Sequence, residues 1–219
     1  MKLFDRLKDA AAGSWRDYTH HEFVEKMAAG TLPHDAFRRY LLQDYLFLID
    51  FSRAYALAIY KSQTLGQMRS NLVGLKGLIE MEMDLHVRIC ERWGLSAEDL
   101  EKTPQRTETL AYTSYVLETG HRGDLLDLKV ALAPCVIGYG EIGERLAAIP
   151  GALDERNPYA EWIREYSGPD YQELRHHAIA ELDDLAPDGI GEGRFRQLTT
   201  IFDQATRLET DFWQMGLKR

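Results

Sequence analysis

The sequence predicts an all-α, single-domain helical bundle, and three observations carry that prediction. Apolar residues recur at threes and fours along nearly the whole chain, no alternating strand pattern of useful length occurs, and the breaks between periodic segments are short. With 219 residues and 45% hydrophobic content, the chain can bury one full core. It contains no internal repeat, low-complexity tract or dividing linker, so residues 1–219 read as one domain.

The first segment, near residues 2–28, enters a charged amphipathic pattern at Met1-Lys2-Leu3-Phe4-Asp5-Arg6 and stops at Gly30-Thr31-Leu32-Pro33. The second, near 34–62, carries Phe37, Leu41, Asp44, Leu48, Phe51 and Tyr55 on one stripe. The third, near 67–93, aligns Leu72, Leu75, Ile79, Met83, Val87 and Cys90, which makes Cys90 a core residue. In the break from Gly94 to Pro104, Ser96 with Asp99 forms a capping-box start for a short turn. Segments near 105–121 and 123–148 follow, ended by Pro150-Gly151. Those near 158–166 and 169–185 are bounded by Gly168-Pro169 and by Pro187-Asp188-Gly189. The last, near 192–216, carries Phe195, Leu198, Phe202, Ala205, Glu209 and Phe212 on its stripe.

The 26 basic and 35 acidic residues give a formal net charge of −9 and leave no basic stripe. That argues against nucleic acid and against an anionic membrane as partners. No apolar run reaches the ~20 residues that span a bilayer, and the N-terminus has no signal-peptide core. Two cysteines, Cys90 and Cys135, in a chain that can stabilise itself by burial point to a reduced, cytoplasmic protein.

Cys135 lies in Ala133-Pro134-Cys135-Val136-Ile137-Gly138-Tyr139-Gly140, inside a segment that otherwise reads as one helix. Each interior glycine costs about 1 kcal/mol against alanine and the proline about 3, so Pro134, Gly138, Gly140 and Gly143 imply that something approaches the backbone closely. Pro134 predicts a kink, and the amides freed there would favour a thiolate at Cys135. Tyr139, four residues on, shares its face. The competing reading is a buried structural cysteine in a helix thinned for packing.

Two carboxylates stand where leucine would be the default: Asp44 in the second stripe and Glu209 in the last. Burying an unpaired carboxylate costs several kcal/mol or forces it to hold a proton. An internal cation such as arginine would answer that cost structurally; an enclosed polar site would answer it functionally. Tyr112, Tyr139, Trp162 and Tyr166 add aromatic residues suited to a flat heteroaromatic ligand.

Other constellations are weaker. His20-His21 offers a haem ligand but fits a helix end better. Glu173-Leu174-Arg175-His176 matches half of a di-iron pattern, whose second half would have to be Glu82 and His86 at the wrong spacing of four. No phosphate loop or dinucleotide fingerprint is present. No metal and no cofactor is expected.

With these residues in view, the chain resembles the TenA family, thiaminase II, over essentially its whole length. The resemblance rests on Trp15 through His20-His21-Glu22-Phe23-Val24, and on Gly30-Thr31-Leu32 leading to Phe37-Arg38-Arg39-Tyr40-Leu41-Leu42-Gln43-Asp44-Tyr45. It continues through Tyr112-Thr113 with Tyr115, Pro134-Cys135 with Gly138-Tyr139, Trp162-Ile163 with Tyr166, and Glu209-Thr210-Asp211-Phe212-Trp213 with Met215. The resemblance implies a haem-oxygenase-like bundle without haem, a homotetramer, and hydrolysis of thiamin or of its aminopyrimidine breakdown products. It implies Cys135 as nucleophile and Glu209 as proton donor to the ring. Asp44 would bind the ring amino group, with Tyr112, Tyr139, Tyr166, Phe47 and Phe212 lining the site. Two departures stand out. His21 occupies a position that is commonly proline, and Phe47 one that is tyrosine in some relatives, so a hydrogen bond from that site is absent.

Overall fold

The computed structural model describes residues 1–218, and among them the regular structure is entirely helical. Three short helices, α1 (Leu3–Ala10), α2 (Ala12–Thr19) and α3 (Glu22–Ala28), replace the single segment expected over 2–28. His21 separates the last two as an N-cap, its Nδ1 accepting from the Phe23 amide at 3.2 Å. The histidine that stands where proline is common therefore serves a turn. Gly30, at φ +67°, then turns the chain into α4 (His34–Lys61).

α5 (Leu65–Gly77) runs without interruption into a single π-helical turn, Leu78–Glu82, and on into α6 (Met83–Glu91). The capping box of Ser96 and Asp99 opens α7 (Ala97–Glu101) as expected. Next come α8 (Thr107–Arg122), α9 (Leu125–Ala147), α10 (Ala160–Ser167), α11 (Pro169–Asp184) and α12 (Glu192–Leu217). A second capping box, Asp124 with Asp127, sets the start of α9.

Helix α9 is the axis of the bundle. Every residue from Leu125 to Gly140 is buried, and α8, α10, α11 and α12 pack around it, with α4 completing the wall. The stripes of α4 and α12 face inward as expected: Phe37, Leu41, Asp44, Leu48, Phe51 and Tyr55 are buried, as are Leu198, Phe202, Ala205, Glu209 and Phe212. Phe195 is only half-buried, under the Arg6 guanidinium.

The third stripe is wrong. Leu72 and Ile79 are 47% and 48% exposed, and the inward face instead carries Asn71, Leu78, Glu82, His86 and Cys90. Apolar residues were assigned to the core and polar ones to solvent, but here the core-facing positions are polar. The steps of four from Leu78 through Glu82 and His86 to Cys90 run through the π turn, whose extra residue keeps one face inward. Cys90 is buried, as expected.

Candidate active site

The glycines of α9 are explained by the protein itself. A Cβ on Gly138 would lie 2.3 Å from the Tyr18 ring, one on Gly140 2.7 Å from Arg175, and one on Gly143 2.5 Å from the Tyr166 backbone. These close approaches bring Tyr18 and α10 against the axis. α9 stays continuous through Pro134, and Tyr18 donates its hydroxyl to the Pro134 carbonyl at 3.2 Å.

Cys135 is buried in the middle of this helix, away from any helix N-terminus. The expected thiolate is therefore corrected: burial first, then the charges of Glu209, Glu82 and Asp44, push the thiol well above its ordinary range. At neutral pH Cys135 rests as a neutral thiol.

Asp44 and Glu209 lie on either side of α9, and neither has a lysine or arginine within ion-pair distance among the described residues. Asp44 Oδ2 accepts from the Tyr40 hydroxyl at 2.8 Å and meets His86 Nε2 at 2.7 Å. The other ring nitrogen, Nδ1, donates to the Glu82 carbonyl at 2.7 Å. Burial alone would lower the His86 pKa, but the hydrogen bond and charge of Asp44 outweigh it and raise it. Asp44 and His86 thus form a buried aspartate–imidazolium pair.

Glu209 has only a hydroxyl for company, that of Tyr112 at 2.9 Å. Burial, with the charges of Asp44 and Glu82, outweighs that bond and raises its carboxyl well above the usual range. Glu209 holds a proton at neutral pH.

A third carboxyl completes the group. Glu82 is buried on the π turn, accepts from the Tyr166 hydroxyl at 3.1 Å, and is pushed up to about 8 by burial and then by the Asp44 charge. Glu82 and His86 were not expected here. Their spacing of four was weighed only as a metal motif, and the fact that they recur on the face opposite Leu72 and Ile79 was the available signal.

Aromatic rings close the space around these groups. Phe47 lies 4.8 Å from Tyr112 and 5.6 Å from Phe212 between ring centroids. Tyr139 lies 5.2 Å from Trp213 and 5.1 Å from Tyr166. Trp162 donates to the Tyr40 hydroxyl at 3.2 Å. Trp213 Nε1 is buried with no acceptor in the protein, an unpaired donor inside the aromatic shell. Every residue expected at the site is buried. The motifs weighed against it point outward: His20 is exposed, and Glu173 and His176 lie on the solvent face of α11.

An all-helical bundle with neutral thiol, neutral carboxyl and aspartate–imidazolium pair enclosed by aromatic rings is built for acid–base and nucleophilic work on a flat ligand. The chain belongs to the TENA/THI-4/PQQC family, whose model matches residues 8–219. It is 40% identical over 216 residues to an aminopyrimidine aminohydrolase of Halalkalibacterium halodurans, covering 99% of this chain and 96% of that protein. An aminopyrimidine aminohydrolase of Bacillus subtilis is 30% identical, covering 100% and 91%. Among solved structures, a TenA family transcription regulator from Silicibacter sp. TM1040 superposes with a TM-score of 0.93 at 48% identity, covering 100% of this chain and 97% of that one. The Pyrococcus horikoshii TenA homologue gives 0.88 at 27%, covering 99% and 98%.

Proposed function

We propose that this single-domain protein is a cofactor-free hydrolase of thiamin salvage, which converts an aminomethyl-aminopyrimidine to the hydroxymethyl-pyrimidine and accepts thiamin as a second substrate. The observation that carries the reading is the set of buried carboxyls, Asp44, Glu82 and Glu209, gathered around a buried cysteine without a lysine or arginine partner among the described residues. A structural carboxylate would have been given a cation. The full-length similarity to aminopyrimidine aminohydrolases supports the substrate class.

A neutral aminopyrimidine resists a thiol, so its ring must first become electron-poor. Glu209, already protonated, donates to the ring nitrogen beside the attacked carbon. The Asp44 carboxylate, held by His86, accepts from the ring amino group and fixes orientation. The cationic ring now places positive charge beside Cys135 and lowers the cost of a thiolate. The vacated Glu209 carboxylate takes the thiol proton, and Cys135 adds to the ring carbon. Loss of ammonia, or of thiazole from thiamin, leaves an exocyclic methylene to which water adds. Collapse of the adduct then frees Cys135. Tyr112 steers Glu209 and Tyr166 steers Glu82 through the hydrogen bonds already described, while Tyr139, Phe47 and Phe212 face the ring.

The protein works as a homotetramer in the reducing cytoplasm. The exposed side chains of Leu65, Met68, Leu72, Val73 and Ile79 give α5 and the π turn an outward apolar stripe that fits a subunit interface. Incubation of purified protein with each substrate, following pyrimidine alcohol with ammonia or thiazole by chromatography, tests the reading. Binding without product would favour a noncatalytic sensor or regulator.

A further inference from the structure

Glu82 is a buried titratable group that the reaction as written leaves without a task. We propose that Glu82 is the catalytic acid for the leaving amine and then the base for the incoming water, a role that rests on the aminopyrimidine reading above. The ring geometry leaves one place for it. Glu209 serves the ring nitrogen on one side of the attacked carbon, and Asp44 serves the amino group on the far side. The methylene that carries the leaving group sits between the attacked carbon and the amino-bearing carbon. Its neighbour must therefore lie between Cys135 and Asp44. Glu82 meets that requirement: its charge acts on both the Cys135 thiol and the Glu209 carboxyl, and Asp44 is the foremost charge acting on it. Through its own backbone carbonyl it also holds the His86 ring that pairs with Asp44.

A second observation is independent of the ring. Glu82, Tyr55, Val136 and Tyr171 line an interior cavity of about 20 Å³ that continues toward Ser70 and His177 at the surface between α5 and α11. A cavity needs roughly 10–15 Å³ to hold one water, so this space admits a single small molecule beside the carboxyl. Water can enter and ammonia leave past Glu82.

The step balances. The neutral Glu82 carboxyl gives its proton to the amine nitrogen as the carbon–nitrogen bond breaks and the electron pair departs with nitrogen. Electrons of the thiol-substituted ring form the exocyclic double bond. Water then adds to the methylene carbon, its proton passes to the Glu82 carboxylate, and the acid is restored. A thiazole leaving group departs from its thiazolium without needing a proton, so thiamin makes no such demand on Glu82.

The groups that face Glu82 are Asp44 and Tyr55 from α4, His86 from α6, Cys135 from α9, Glu165 and Tyr166 from α10, and Tyr171 from α11. Burial and the Asp44 charge hold Glu82 near 8, so turnover of the amine should fall as pH rises through that region. The experiment measures turnover of Glu82→Gln and wild type on the aminomethyl-pyrimidine and on thiamin. Amine turnover should drop about 100-fold or more, with thiamin affected at least tenfold less. Equal losses on both substrates, or no loss on the amine, would overturn the assignment. Wild-type protein that forms product from neither substrate would instead sink the aminopyrimidine reading. If wild type accepts the amine alone, or the glutamine variant does not fold, the wild-type kcat profile decides: absence of the alkaline limb near 8 refutes the role. Glu82→Asp, which keeps a carboxyl, should recover part of the amine rate and the limb.

Discussion

Asp44 and Glu209 give the same signal in sequence, a carboxylate where a leucine belongs, yet the fold treats them in opposite ways. Asp44 is given an imidazolium and a tyrosine hydroxyl. Glu209 is given one tyrosine hydroxyl and no cation. The partnered carboxyl can stay charged and accept hydrogen bonds from a ligand; the unpartnered one keeps its proton and can donate it. Position in a stripe predicts burial, while partners decide chemistry.

The sharpest way to test that contrast is to remove what lies between the two ends. Cys135→Ser should abolish nearly all turnover while the variant still binds the pyrimidine, because a neutral hydroxyl is a far poorer nucleophile than a thiolate. Comparable turnover in the serine variant would rule out covalent catalysis. The site would then be a pair of carboxyls directing water.

Glu209→Gln breaks the unpartnered end. Glutamine keeps the shape and a hydrogen bond to Tyr112 but cannot pass a proton to the ring, so single-turnover rates should fall by about 10²–10⁴. The melting temperature should hold or rise, since no buried pair is lost. A destabilised but fully active protein would make Glu209 a structural residue and reverse the contrast.

Asp44→Asn breaks the partnered end and should do the converse. It leaves the His86 ring without its counter-charge, and loss of one partner of a buried pair typically costs about 3–5 kcal/mol. Neutralisation of the ring would bring the cost toward the lower figure. Ligand affinity should fall as well, because the amide can place a donor against the ring amino group. Wild-type affinity together with wild-type stability would remove Asp44 from both roles.

How much of this was legible depended on whether a helix follows a simple rule of polarity. On α4 and α12 a single acidic residue interrupts an apolar stripe, so Asp44 and Glu209 stand out and the inward face is read correctly. Along α5 and α6 the inward face carries Asn71, Glu82 and His86, while Leu72 and Ile79 face outward. A rule that sends apolar residues inward turns that segment the wrong way. The π turn hides the register further, since a helical period of 3.6 does not describe it. The glycines of α9 were correctly read as close approaches. What approaches, namely Tyr18, Arg175 and the Tyr166 backbone, depends on distant parts of the chain that no local pattern names. The neutral state of Cys135 was likewise beyond local reading, because it comes from burial and from three carboxyls on other helices.

The smallest expected effect concerns the third carboxyl, which sits between the two extremes: held by a tyrosine, next to a histidine, and near 8. A carboxyl whose folded pKa is raised binds its proton more tightly in the native state than in the unfolded chain. Its contribution to stability is complete below the unfolded value of about 4.3 and is lost as pH rises through the folded value. For Glu82 the window runs from there to about 8. His86, also raised, loses its contribution in the same direction above about 6.5, whereas His20 and His21, both lowered, act in the opposite direction near that pH. Wild-type stability alone therefore mixes signs, but the difference from Glu82→Gln isolates one group. Wild type should lose stability relative to the glutamine variant by up to about 1.4 kcal/mol per pH unit across the window, read as a gap in denaturation midpoints that changes steadily from pH 5 to 8. Parallel curves would mean that Glu82 titrates as an ordinary surface carboxylate, and the grading of the three interior carboxyls by their partners would fail at its middle member.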